Sequence, residues 1–177
     1  MKSIRIAGFG GQGILFAGKQ LALAGMYHGE KVTWLPSYGP EMKGGTSNCL
    51  VIISETEINS PIIPNPDIVI AMNLPSFNKF EQTVTEGGNL FCDSTLVNAK
   101  SERTDINSHY IPSTAIANDN KMQGLANVIM LGKLIAVTGL FTIKELISSM
   151  EKSIPASRKE LLELNKKALQ LGYEYVG

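Results

Sequence analysis

The chain has 177 residues, of which 44% are hydrophobic and 18% are charged, as in ordinary globular proteins and unlike disordered ones. Lys and Arg together number 16, and so do Asp and Glu. Because no basic cluster interrupts this balance, we expect no nucleic-acid partner. The length fits one domain over residues 1–177 with a substantial core.

The predicted strands cover residues 4–7, 32–35, 47–54, 67–72, 89–93 and 110–111. Predicted helices cover residues 14–28, 75–80 and 125–137, and two more begin at the capping-box patterns of Thr142 and Ser157. The last helix is expected to end at Gly172. The first strand, helix and second strand predict a parallel β-α-β pair. This order indicates a single-domain, Rossmann-like, three-layer α/β/α sandwich around a largely parallel or mixed sheet.

The amino-terminal residues 1–6 lead straight into a strand and lack the apolar region of a signal peptide. The most apolar later segment, residues 128–137, contains Lys133 and falls short of the ~20 apolar residues of a membrane span. We therefore expect a soluble, cytoplasmic protein without a membrane partner.

The two cysteines, Cys49 and Cys92, lie far apart in apolar stretches and are expected to be reduced, buried thiols. An iron–sulfur cluster needs about four thiolates, so we expect this chain alone to hold none. His28 and His109 are isolated, which predicts no metal site. No Ser/His/Asp or Cys/His set argues for nucleophilic catalysis, and no catalytic residue is predicted.

A glycine motif, G-x-G-x-x-G at Gly8, Gly10 and Gly13, follows the first strand and opens a helix. Such a turn lets a phosphate approach the backbone amides at a helix N-terminus. A dinucleotide site also needs an acidic residue at the end of the second strand, and residues 34–37 contain none. The turn therefore fits an anion site better than an NAD site, while close packing or a protein interface remains an alternative.

A second glycine-rich segment, residues 37–46, is longer than the ~2–6 residues of an ordinary α/β connection. It places Tyr38, Glu41 and Lys43 after the carboxyl end of a strand, where open α/β sheets bind ligands. A solvated loop with incidental charges is the alternative interpretation.

Together these two segments resemble the paired signature of the γ subunit of 2-oxoacid:ferredoxin oxidoreductases. The resemblance extends along nearly the whole chain, through Ile52-Ile53-Ser54, Ser60-Pro61, Asp67-Ile68-Val69, the strand from Gly88 to Ser94, and Asn127. That family often has Arg where Lys43 stands; Lys keeps the charge but lacks the planar fork.

The resemblance implies a subunit of an enzyme complex that decarboxylates a 2-oxoacid oxidatively to an acyl-coenzyme A. It implies thiamine diphosphate and iron–sulfur clusters on thiamine-binding and ferredoxin-like partner subunits, and an inactive isolated chain. The small size of the chain is most similar to that of γ subunits in the 2-oxoglutarate branch. The pyruvate and other 2-oxoacid branches stay open. A free-standing nucleotide-binding protein or NAD-dependent dehydrogenase and a purely structural adaptor are the alternatives, and a homo-oligomer of the isolated chain also stays open.

The two glycine segments follow strands of one predicted β-α-β unit, so we expect them side by side at one sheet edge, with Gly11 and Gly44 on the same face. This patch is predicted to face the thiamine-bearing partner and to line the route of an anionic group such as that of coenzyme A. The residues predicted to bind cofactor are Gly10, Gly11, Gln12, Gly13, Ser37, Tyr38, Glu41, Lys43 and Gly44.

Overall fold

Six strands form one mixed sheet in the computed structural model, which describes residues 1–37 and 46–177. The strands are β1 (Lys2–Phe9), β2 (Lys31–Ser37), β3 (Thr46–Ser54), β4 (Ile68–Ala71), β5 (Asn89–Asp93) and β6 (Asn107–Ile111). Their spatial order is β2-β3-β1-β4-β5-β6. β3 runs antiparallel to both of its neighbours, whereas β1, β4, β5 and β6 are mutually parallel.

The helices are α1 (Ile14–Tyr27), α2 (Leu74–Phe80), α3 (Ser113–Asp119), α4 (Ala126–Thr138), α5 (Ile143–Ser153) and α6 (Lys159–Glu174). Short 3₁₀ turns cover Glu81–Thr83 and Ala156–Arg158. None of the helices within residues 1–37 and 46–177 has both the length and the apolar character of a membrane span.

The predicted pairing of β1 with β2 is wrong, because β3 lies between them. Residues Cys49 to Ile53 of β3 are all buried, and a strand buried on both faces favours the sheet interior. β2 is half exposed along its length, as suits an edge strand. Both β1 and β2 run antiparallel to β3, so their carboxyl ends still lie at the same edge of the sheet.

Apolar clusters fill both faces of the sheet, which confirms the layered α/β class. The larger cluster joins Ile6 of β1 to Leu21 of α1 and Ile129 of α4. The smaller one joins Val69 and Leu90 to Phe77 of α2. The sheet is mixed, one of the two forms that the sequence predicted.

The closing helices confirm one capping prediction and contradict the other. Thr142 Oγ1 accepts from the Glu145 amide, while the Glu145 carboxylate accepts from the Thr142 amide at 2.7 Å. The bonds that the carboxylate accepts from the amide and the hydroxyl of Thr142 lower the pKa of Glu145. Among residues 1–37 and 46–177, no side chain caps α6, which follows the 3₁₀ turn and begins at Lys159 rather than at Ser157.

α6 also continues past Gly172, so the predicted helix end is wrong. A Cβ atom at Gly172 would overlap the backbone of Ile129, and one at Gly132 would overlap the carbonyl of Leu169. Gly172 therefore permits the close approach of α4 and α6 instead of terminating a helix.

Candidate functional site

The first glycine segment forms a tight turn between β1 and α1. Gly11 and Gly13 both have positive φ, at 92° and 71°, a conformation that glycine adopts without steric cost. Gly13 is the N-cap of α1, and no described side chain caps the amides of the first helical turn. The helix N-terminus therefore presents its positive dipole end at this turn.

Gln12 braces the turn against the end of β4. Its Oε1 accepts from the Phe9 amide at 2.6 Å and from Asn73 Nδ2 at 3.2 Å. Its Nε2 donates to the Met72 carbonyl at 3.0 Å. Because both amide atoms already have partners within the chain, the Gln12 side chain positions the turn in this structure.

A crevice of about 200 Å³ opens beside the turn, and we call it the switch-point crevice. The chain passes from β1 to one side of the sheet through β2 and β3, and then to the other side through β4. Open α/β sheets bind ligands outside the carboxyl ends of their strands at such a reversal. The lining consists of Gly11, Gln12, Met72, Leu96, Thr114, Ala117, Asn118, Gly124 and Ala126.

Asp93 holds the far wall of the switch-point crevice in place. This fully buried carboxylate at the end of β5 accepts from the Thr114 amide at 3.2 Å, the Thr114 hydroxyl at 2.5 Å and the Thr95 amide at 3.1 Å. These bonds fix the start of α3. The sequence interpretation missed α3 and this contact, although an Asp directly after an apolar strand was the available signal.

Asn127 ties α4 to the glycine turn. Its Nδ2 donates to the Gly13 carbonyl at 2.9 Å, and the side chain is only 3% exposed. The glycine turn is therefore supported from two sides, by Gln12 at β4 and by Asn127 at α4.

Of the predicted site residues in the second glycine-rich segment, the structure describes Ser37 and not the others. Ser37 ends β2 and pairs with Asn48, while Phe9 at the end of β1 pairs with Thr46, so both segments leave the sheet at one edge. Two strand spacings, about 10 Å, separate those ends. The other predicted residues of this segment, Tyr38, Glu41, Lys43 and Gly44, lie outside the described residues.

A family model described as pyruvate ferredoxin/flavodoxin oxidoreductase matches residues 3–175. The chain belongs to this family. The resemblance that the two glycine motifs predicted is therefore confirmed.

Known members of the family resemble the chain along almost its full length. It is 36% identical over 175 residues to the ketoisovalerate oxidoreductase subunit VorA of Methanothermobacter thermautotrophicus, a match that covers 97% of this chain and 36% of that protein. It is 35% identical over 176 residues to the 2-oxoglutarate synthase subunit KorC of Methanocaldococcus jannaschii, covering 98% and 92% respectively. The chain thus spans about a third of VorA and nearly all of KorC.

The fold agrees with a solved structure of the same family. The γ subunit of a keto/oxoacid ferredoxin oxidoreductase from Geobacter sulfurreducens superposes with a TM-score of 0.83 at 31% identity, covering 98% of this chain and 97% of that one.

The side chains that line the switch-point crevice in this family member are uncharged, and the Asp93 carboxylate lies behind Thr114, from which it accepts hydrogen bonds. The dipole of α1 therefore supplies the attraction for an anion among the described groups. Lys43, the cation predicted to assist it, belongs to the segment outside the described residues.

The thiols do not contribute to this site. Cys49 and Cys92 are free and buried, and burial raises the pKa of Cys49 to about 11 and that of Cys92 to about 12. Both thiols therefore stay protonated and unreactive at neutral pH. Within residues 1–37 and 46–177, no group of three or more His, Cys, Asp or Glu side chains is placed to hold a metal ion.

Proposed function

We propose that this chain is the γ subunit of a 2-oxoacid:ferredoxin oxidoreductase complex that converts 2-oxoglutarate to its acyl-coenzyme A. Thiamine diphosphate and the iron–sulfur clusters are held by partner subunits and supply the decarboxylation and electron-transfer chemistry. The match to KorC over 92% of its length supports the 2-oxoglutarate assignment. Because the identity to VorA differs from that to KorC by a single percentage point, identity alone does not choose the 2-oxoacid.

The observation that carries the proposed role is the glycine turn over the topological switch point. It combines a helix N-terminus that no described side chain caps with a crevice whose described lining is uncharged, at the edge where β2 also ends. The chain binds an anionic group of a complex-bound ligand, such as a coenzyme A phosphate, at this turn. β2 ends and β3 begins at the same edge, and the intervening Tyr38, Glu41 and Lys43 are proposed to complete the patch toward the thiamine-bearing partner.

An NAD-dependent dehydrogenase fits the described residues less well. In a dinucleotide-binding fold the strand that carries the ribose-binding acid lies next to the glycine-turn strand. Here β3 separates β2 from β1, and the end of β2 at residues 34–37 has no acidic residue. Calorimetric titration of the isolated chain should therefore detect no micromolar NAD or NADP binding.

Reconstitution tests the proposed function. The purified chain is added to the remaining subunits of its complex, and 2-oxoacid-dependent reduction of a viologen dye is measured with coenzyme A present. Dye reduction should require this chain and should be fastest with 2-oxoglutarate among 2-oxoglutarate, pyruvate and ketoisovalerate. The isolated chain should neither reduce the dye nor bind iron. Full activity without the chain would contradict the proposal.

A further inference from the structure

A second cleft opens beside the switch-point crevice and shares Gly124 with it. We call it the asparagine cleft; its volume is about 180 Å³. Three elements supply its apolar walls, through Phe16 of α1, Leu125 before α4 and Leu161 of α6. Asn127 and Asn165 complete the lining together with Gly13.

Both asparagines have one amide atom in a hydrogen bond and one without a partner among the described residues. Asn127 donates its Nδ2 to the Gly13 carbonyl at 2.9 Å, and Asn165 donates its Nδ2 to the Leu161 carbonyl at 2.7 Å. Turning either amide over would place two acceptors against each other, so these bonds fix both orientations. Each Oδ1 is then buried without a hydrogen-bond partner among the described residues. Asn127 is 3% exposed and Asn165 is 1% exposed.

The chemistry of this lining selects the occupant. Two unpaired carbonyl oxygens repel an anion and require a hydrogen-bond donor. The cleft also receives the N-termini of α1 and α4, whose positive dipole ends disfavour an ammonium or guanidinium group. Apolar walls favour an apolar body. The matching group is therefore a neutral N–H donor on an apolar segment, such as a Trp indole or an amide.

The surroundings of the cleft indicate that the occupant is a protein. Leu161 also lines an open groove along α6 that includes Leu164, and these two leucines are 37% and 41% exposed. The rest of the groove is lined by polar and charged side chains, and exposed apolar residues rimmed by polar ones are typical of a docking surface. In VorA, moreover, the region matching this chain is about a third of a longer polypeptide, so further protein is attached to this fold there.

We infer that a partner subunit covers the asparagine cleft and inserts an apolar segment whose neutral N–H donors bond to the carbonyl oxygens of Asn127 and Asn165. The inference rests on the proposed function and extends the predicted partner surface from the glycine turn to the first half of α6. It also gives a binding role to the two Oδ1 atoms, which have no hydrogen-bond partner among the described residues of the free chain.

The test measures the affinity of the chain for the assembled remaining subunits by biolayer interferometry. Asn165→Leu removes one acceptor, and Leu161→Lys places a cation on the exposed wall. Each change should weaken binding by about 10-fold or more, as expected for buried interface contacts. Ile62→Lys is the matched control, because Ile62 is an exposed apolar residue, at 69%, away from the cleft; it should stay within about twofold.

Thermal melting of the isolated variants separates docking from structural damage. Asn165→Leu should melt at or above the wild-type temperature, because it removes a buried acceptor that has no partner among the described residues of the free chain. The Leu161 carbonyl loses the Asn165 Nδ2 but keeps its backbone partner within α6. If Asn165→Leu melts below wild type, the exposed Leu161→Lys variant decides the question.

Two results would overturn the inference, and they have different meanings. Wild-type-like binding by both variants, in a complex that wild-type chain does activate, removes the asparagine cleft from the interface and leaves the proposed function intact. Failure of the wild-type chain to bind or activate the other subunits would reject the proposed function and this inference together.

Discussion

Gly13 and Asn127 lie 114 positions apart in the sequence, yet Asn127 Nδ2 donates to the Gly13 carbonyl at 2.9 Å. The same carbonyl accepts the Ala17 amide at 3.0 Å inside α1. A Cβ atom at Gly13 would overlap the Asn127 amide, whereas one at Gly11 would meet nothing within 4 Å. The two glycines thus have different roles, since Gly13 permits helix packing and Gly11 leaves the backbone open toward the switch-point crevice.

Replacing Gly13 with Ala should lower the free energy of unfolding by about 2–4 kcal/mol, measured by urea denaturation. The change combines a side chain at positive φ with the loss of the Asn127 contact. Gly29→Ala is the matched control, because Gly29 also has positive φ, at 86°, but open space around it. It should cost only about 1 kcal/mol. Equal losses in the two variants would mean that the Asn127 contact contributes little.

Gln12→Ala should weaken the brace between the glycine turn and β4. The substitution leaves the Met72 carbonyl and the Phe9 amide without their partner, at a cost of about 1–3 kcal/mol of unfolding free energy. Gln170→Ala, on the exposed surface of α6, should change stability by less than about 0.5 kcal/mol. A stable Gln12→Ala variant with full activity in the reconstituted complex would contradict the positioning role.

Local patterns in the sequence were enough to predict most of the helices and strands and the edge of the sheet at which the candidate site lies. The glycine turn, the Thr142 cap and the buried β3 run all depend on neighbours in the chain, and each was located within a few residues. The place of β3 between β1 and β2 was not predictable in this way, because it depends on which strands compete for the interior position. β3 occupies the interior position, where residues Cys49 to Ile53 are all buried.

Contacts between distant segments explain the other misses. Gly172 looks like a helix terminator locally, but its neighbour in the fold is Ile129. Asp93 and Thr114 come from separate elements, and no short pattern marks them as partners. The unpaired side-chain oxygens of Asn127 and Asn165 were not predictable either, because they depend on how α4 and α6 pack together.

The two thiols should make the chain less stable in alkaline solution. Burial raises the pKa of Cys49 to about 11 and of Cys92 to about 12, from an ordinary value of 9.0. The folded state therefore keeps protons that the unfolded state releases, and stability that is complete below pH 9 declines as the pH rises toward those values. Each thiol contributes up to about 1.4 kcal/mol per pH unit in that window.

Urea denaturation at pH 8 and pH 10.5 measures this effect, and a Cys49→Ala, Cys92→Ala double variant controls for the tyrosines and lysines. The double variant should be less stable overall but should lose less stability between the two pH values. A thiol reagent at pH 8 should label neither cysteine in the native chain and both in urea. Rapid labelling of the native chain would contradict the burial of these thiols.

Lys43 and Glu41 distinguish a ligand-binding subunit from a purely structural adaptor. If the segment that follows β2 completes the anion site, Lys43→Gln should lower turnover of the reconstituted complex by about 10-fold or more, the value of one charge-assisted hydrogen bond. Lys43→Arg keeps the charge and should retain most of the activity, while Glu41→Gln should lower turnover without affecting assembly. Lys144→Gln, at an exposed position of α5, controls for the loss of one positive charge.

Assembly is followed by size-exclusion chromatography, and turnover by dye reduction at several coenzyme A concentrations. An effect confined to the KM for coenzyme A would locate the contact in ground-state binding, whereas a fall in kcat would locate it in the transition state. If the Lys43 and Glu41 variants assemble and turn over like wild type, the adaptor interpretation is the correct one.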